Sequence, residues 1–246
     1  PITHNNAYTN RLAAFNLELA ARMGERGGAS REEIAEFAKT AAALPIPRSA
    51  ANPERILQCE GFEQLAEPRF EQFWADRQGC YAARVSQERL YRSKNLKQAD
   101  VLLLMVLFPD EFTDAEVRAA WDYYVPVTAH DSSLSAGIHA LGALRLGLDR
   151  EAWDFFLKSA SLDLDTAQGG AAQGIHIAGC AANWQVAVHG FAGVRNALQG
   201  EALTLSPRLP AGWRRLAFPM VWRGVPLRIA ITAGGCTVEN GGAAGI

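Results

Sequence analysis

The sequence predicts a mainly α fold, helices stacked as antiparallel hairpins, followed by the beginning of a small β-sheet domain. Three observations predict it. From Asn6 to about Asn196, apolar residues recur at spacings of three and four, as on helix faces. The links between these segments are short and punctuated by Pro109, Pro126, Gly147 and Gly169-Gly170, which suits helices that reverse onto one another. Beyond Gly200 the apolar period becomes two, the alternation of a half-buried strand. The boundary is therefore set between residues 1–200 and 201–246.

In the first helix Leu12, Phe15, Leu19 and Met23 make one apolar face, and Gly24, Gly27 and Gly28 stop it. Ser30 and Glu33 have the spacing of a capping box, opening a second helix with Ile34, Phe37, Ala38 and Ala41 inward. Pro45 and Pro47 end it, since proline lacks the amide donor. After a less regular stretch from Arg48 to Gly61, helical signals return over Phe62–Trp74. Further helices are expected near Gln87–Phe108, Thr113–Tyr124, Leu134–Gly147, Arg150–Leu162 and Ile175–Leu198. No repeat of fixed period is visible. Leu216, Phe218, Met220 and Trp222 then alternate, as do Val225, Leu227, Ile229 and Ile231 across Arg223-Gly224, which reads as a β-hairpin. A third strand is expected over Cys236–Glu239, with Gly241–Ile246 fraying. Three strands make a poor domain alone. The chain also begins at Pro1 without an initiator methionine, so an excised fragment, truncated at both ends, is expected.

Composition narrows the function classes. With 49% hydrophobic residues the chain can fill a core, and a formal charge of -2 favours neither nucleic acid nor an anionic membrane. Cys59, Cys80, Cys180 and Cys236 are scattered without C-x-x-C spacing or adjoining histidine, which argues against structural zinc and for free thiols in a reducing, cytoplasmic setting. No metal site is expected. The apolar run Val101–Phe108 is too short to span a bilayer, which takes about 20 residues.

Three places carry possible chemistry. Lys97-Gln98 opens the helix whose body, Val101 to Leu107, is apolar all round and therefore expected at the centre of the domain. If its N-terminal end opens into a pocket, Lys97 and Gln98 supply donors and an acceptor suited to sugar hydroxyls. An exposed lysine and a surface glutamine fit the same pattern. In His130-Asp131-Ser132-Ser133-Leu134-Ser135, one serine is a natural N-cap for a helix beginning near Leu134. Two hydroxyls with free amides behind them also suit an anion such as phosphate. His176, in Gly174-Ile175-His176-Ile177-Ala178, again stands at a helix start and could donate to a bound phosphate; a core histidine bonded to backbone is the plainer alternative. Asp163 and Asp165 are spaced by two, face different ways and read as capping or loop residues.

Taken in order, these segments resemble glycoside hydrolase family 65, which holds maltose, trehalose, kojibiose and nigerose phosphorylases and some hydrolases. The matching strings are Asn5-Asn6-Ala7-Tyr8-Thr9-Asn10, Gln58-Cys59-Glu60-Gly61-Phe62, Lys97-Gln98-Ala99-Asp100-Val101 and His130 through Ser135. They continue with Leu162-Asp163-Leu164-Asp165, Gly174 through Ala178, and Pro207-Arg208-Leu209-Pro210. The resemblance implies that residues 1–200 are the C-terminal half of an (α/α)6 catalytic barrel and that 201–246 begin the family's β-sheet domain. It assigns Lys97 and Gln98 to the transferred glycosyl unit, and Ser132, Ser133 and His176 to inorganic phosphate.

In the family the general acid is a glutamate in a Gly-Pro-Asp-Glu-like segment shortly before the Asn-Asn-Ala-Tyr stretch. It is therefore expected upstream of Pro1, with no catalytic residue in this chain, and the fragment alone is expected to be inactive. Glu60 is not promoted in its place. The implied reaction is inverting phosphorolysis of an α-linked disaccharide to β-glucose 1-phosphate, with phosphate as co-substrate and no cofactor. A family 65 hydrolase using water, with Asp131 as the conceivable base, and a non-catalytic sugar-binding helical domain are the alternatives. Family members often form homodimers, which makes a homodimer of the full-length protein an expectation. Ala171-Ala172-Gln173 and Gly179-Cys180-Ala181-Ala182-Asn183 depart from the family pattern, which bears on acceptor preference and on the shape of the phosphate pocket.

Overall fold

The computed structural model describes residues 3–164, 174–195 and 202–240. The expectations for Asp165, Gly169-Gly170, Ala171–Gln173 and Gly241–Ile246 lie outside the described residues. Helices fill most of the chain up to Phe191, and small antiparallel sheets follow. The fold class is thus the mainly α one with a β-sheet end. Contacts divide the chain into two compact units, Pro1–Ser135 and Ala136–Ile246. Among the described residues no helix is long and apolar enough to cross a membrane.

In the first unit, α1 (Ala7–Gly27) starts at Asn6, whose side chain accepts from the Thr9 amide, and ends at Gly28 with φ 81°. It packs on α2 (Arg31–Ala43), which opens with the expected capping box between Ser30 and Glu33. The seam differs from the periodicity reading. Leu19, Met23 and Ala38 are exposed, whereas Ala7, Ala14 and Gly24 are buried. Gly24 does not stop the helix; it is the gap that receives Ile34, whose Cγ1 would lie 2.5 Å from any Cβ added there. Close approach of two helices favours small residues over the long apolar row.

The expected Gln87–Phe108 helix is two, α4 (Gln87–Tyr91) and α5 (Asp100–Leu107). Between them Lys94 donates to Ala66 O at 2.8 Å and Leu96 donates to Val127 O at 2.9 Å, in bridges that use the amides a helix would have needed. Similarly, Phe62–Trp74 is broken into a 3-10 turn (Phe62–Gln64) and the single turn α3 (Phe70–Phe73). There Phe70 packs edge to face against both Trp74 and Tyr81, and the Tyr81 hydroxyl donates to Pro68 O. In α5, Val101, Leu102, Leu104 and Met105 are buried and Leu107 is half exposed. The expected Thr113–Tyr124 helix is α6 (Asp114–Tyr124), capped by Thr113, and it packs on α5.

The second unit holds α7 (Ser135–Arg145), α8 (Asp149–Ala160) and α9 (Ile177–Gln185), the last continued by a wide π turn, Val186–Phe191. Gly137 of α7 meets Ala182 of α9, where an added Cβ would stand 2.7 Å from the alanine methyl. The expected helix to Leu198 stops earlier. Gly193, at φ 62°, turns the chain into β1 (Val194–Arg195), which pairs with β2 (Thr204–Leu205). Then β3 (Arg215–Trp222), β4 (Val225–Thr232) and β5 (Gly235–Asn240) form an antiparallel sheet in register with the alternation read from the sequence. Its Phe218, Ile229 and Ile231 pack on Val188, Ala192 and Val194.

Candidate functional site

In the first unit, three separate chain segments meet in one polar seam. Gln98 and Lys97 lie in the bend just before α5, whose N-cap is Ala99, and do not themselves open the helix. Ser132 comes from the loop before α7. Its hydroxyl donates to Gln98 Oε1 at 2.9 Å and accepts from the Leu134 amide at 3.3 Å. The structure thus brings Gln98 and Ser132 into direct contact. Lys97 is exposed beside them, and Ser133 is half-buried. Gln98 Nε2 reaches Asp100 Oδ1 at 3.4 Å, and Gln58 Nε2 reaches Asp100 Oδ2 at 3.5 Å, both long contacts. A hydroxyl has one proton. With that proton on Gln98, Ser132 meets an anion only by rotating away.

Burial pushes the Asp100 carboxyl up from its ordinary value, an effect the Gln98 amide partly offsets. A raised carboxyl contributes stability that is complete below the ordinary carboxylate range and is lost as pH rises through the raised value. Asp100→Asn removes the charge and offers a donor to Gln58 Oε1, which is buried without a partner. The variant is expected to unfold at a higher temperature than the parent at pH 8. At pH 4 that gain should shrink, and thermal unfolding at the two pH values checks it.

Asp131 is placed differently from a free base. Its Oδ1 accepts from the Tyr81 amide and its Oδ2 from the Ala82 amide, each at 3.0 Å, so the carboxylate clamps the turn that carries Tyr81. His130, at φ 57°, turns its Nδ1 to within 2.8 Å of Ser135 Oγ. Glu60 is exposed and accepts from Asn5 Nδ2 at 2.6 Å, tying down the Asn-Asn-Ala-Tyr segment.

His176 belongs to the second unit. It is the N-cap of α9, at the helix start where the sequence put it, with a side chain 25% exposed and therefore outside the hydrocarbon interior. Asp163, in the turn after α8, holds it twice. Oδ2 accepts from the His176 amide at 2.8 Å and Oδ1 lies 2.6 Å from the ring Nδ1. These bonds from His176 hold the Asp163 carboxyl below its ordinary value. Sequence reasoning missed Asp163, Asp100 and Gln58 as partners. The only signal was that each falls inside, or next to, a string already singled out. Among the described residues no cluster of side chains could hold a metal ion.

Residues 2–185 match the glycosyl hydrolase family 65 central catalytic domain. The chain belongs to glycosyl hydrolase family 65. Residues 197–246 match the family's C-terminal domain. The chain is 32% identical to the kojibiose phosphorylase of Caldanaerobacter subterraneus subsp. tengcongensis, covering 93% of this chain and 31% of that protein. It is also 32% identical to the α,α-trehalose phosphorylase of Thermoanaerobacter brockii, with 94% and 31% covered. A solved human-microbiome structure, provisionally named a kojibiose phosphorylase, superposes with a TM-score of 0.82 at 25% identity, over 96% of this chain and 34% of that one. The chain thus spans about a third of the length of these family 65 relatives.

Proposed function

We propose that the chain is part of an inverting α-glucoside phosphorylase, which transfers a glucosyl unit from an α-linked disaccharide to inorganic phosphate and releases β-glucose 1-phosphate. Lys97 and Gln98 bind the glucosyl unit; Ser132, Ser133 and His176 bind phosphate. No cofactor takes part, no residue of these 246 is the proton donor, and the reaction is cytoplasmic. The relatives named as kojibiose and trehalose phosphorylases support this reading.

The observation that carries it is the state of Asp131. An inverting hydrolase needs a second carboxylate to activate water. The acid beside the serine pair instead accepts a backbone amide at each oxygen, which holds it against the turn that carries Tyr81. Phosphate is already an anionic nucleophile and needs no such base, only to be held in line. The test is to incubate the full-length polypeptide with kojibiose, trehalose and maltose, with and without phosphate. Release of β-glucose 1-phosphate only when phosphate is present is the expected result. Free glucose appearing at the same rate without phosphate overturns it in favour of hydrolysis. Sugar binding without turnover overturns it in favour of a non-catalytic domain.

A further inference from the structure

Asp163 is given no role by the phosphate assignment, and it makes the closest polar contact to that assignment's histidine. A carboxylate accepts and does not donate, so the 2.6 Å contact requires the proton to sit on Nδ1 of His176. The second oxygen takes the amide of the same residue at 2.8 Å. Two oxygens of one carboxylate thus grip the backbone and the ring of one residue, leaving the imidazole little freedom about either side-chain torsion. The carboxylate also stands at the N-terminus of α9, where negative charge is favoured. A ring held by Nδ1 has one nitrogen left for a ligand, Nε2, and which nitrogen faces a ligand is set by the bond the other one makes.

We propose that Asp163 is a positioning residue that fixes the Nδ1–H form and the direction of His176, so that Nε2 is the atom that meets phosphate, accepting from a protonated phosphate oxygen rather than donating to an ionised one. The inference rests on the reading that His176 binds phosphate. It goes beyond that reading in naming the residue that aims the ring and the nitrogen that is used. A merely structural Asp163 would cap α9 and leave the ring's proton placement and its anion contact unaffected.

Nitrogen-15 labelling of histidine in the full chain reads the two ring nitrogens directly. With five histidines in the sequence, His176→Gln assigns the signal. At a pH where the ring is neutral, His176 is expected to carry its proton on Nδ1, whereas Asp163→Ala should return it towards the Nε2–H form that free imidazole side chains prefer. Asp163→Asn, whose carbonyl still accepts, should keep Nδ1–H. Inorganic phosphate should perturb Nε2 of the unmodified protein, and Asp163→Ala should weaken that response about tenfold, as loss of an orienting partner does elsewhere. Failure of phosphate to move any His176 signal overturns the phosphate reading, and this inference with it. An Nε2–H ring in the unmodified protein, a measurement that needs no variant, overturns the inference alone. So does a phosphate response that Asp163→Ala leaves unchanged.

Discussion

Replacing Gly193 by alanine is expected to cost about 3 kcal/mol or more of folding stability, the largest effect of an added methyl among the described glycines. Two costs add. At φ 62° an L-residue is held in the left-handed region, at roughly 1–2 kcal/mol. The new Cβ would also stand 2.1 Å from the carbonyl oxygen of Ser206, a backbone atom that cannot swing aside as a side chain can. Relief means parting β1 from β2 and giving up the Ser206 amide bond to Gly193 O. That strain is of the kind overpacking imposes, typically 1–3 kcal/mol. Ala192 and Val194, on either side, are both buried in the core beneath the larger sheet, so the displacement spreads there. Gly28→Ala is the matched control. It too has positive φ, at 81°, with nothing within 4 Å of an added Cβ, and should cost only about 1 kcal/mol. Urea midpoints at equal m-values compare the two. Equal losses would mean that the Ser206 contact relaxes freely and that this account of the turn is wrong.

Gly193 also illustrates what the sequence could and could not convey. The hairpin of β3 and β4 was legible to the residue because alternation and an Arg-Gly turn are local signals, and so was the Ser30–Glu33 box. The end of the last helix was not, because nothing in the apolar spacing of Ile175 to Leu198 says that the chain must turn to pair with Thr204-Leu205. The split of Gln87–Phe108 has the same cause, as amides of Lys94 and Leu96 are claimed by distant carbonyls. Packing identity was hidden for another reason. Periodicity weights large residues, while the contact of α1 with α2 includes Gly24, the gap that receives Ile34. For the site, family strings pointed to Gln98, Ser132 and His176. Their partners Asp100 and Asp163 needed coordinates, because a contact between His176 and a residue 13 positions away is not a helical or strand spacing.

The same contacts rank the site residues for turnover. If His176 meets phosphate through Nε2, His176→Ala removes a directed hydrogen bond to the anion that attacks the glucosyl unit. Loss of one hydrogen bond to a charged group, up to about 3 kcal/mol, is expected to lower phosphate-dependent turnover by about 10². Ser132→Ala should cost far less. The Ser132 proton already satisfies Gln98 Oε1 at 2.9 Å, so donation to phosphate exchanges one neutral acceptor for a charged one. The net difference is about 0.5–1.5 kcal/mol, or roughly tenfold at most. That exchange has a consequence for the sugar. Once the hydroxyl turns to the anion, Gln98 Oε1 is free to accept from a glucosyl hydroxyl, so phosphate should tighten sugar binding in the parent and fail to do so in Ser132→Ala. Initial rates of the full-length polypeptide over a matrix of phosphate and disaccharide concentrations read both effects. A Ser132→Ala loss as large as that of His176→Ala would show that the hydroxyl's proton is not committed to Gln98. A sugar KM independent of phosphate in the parent would break the link between the two residues.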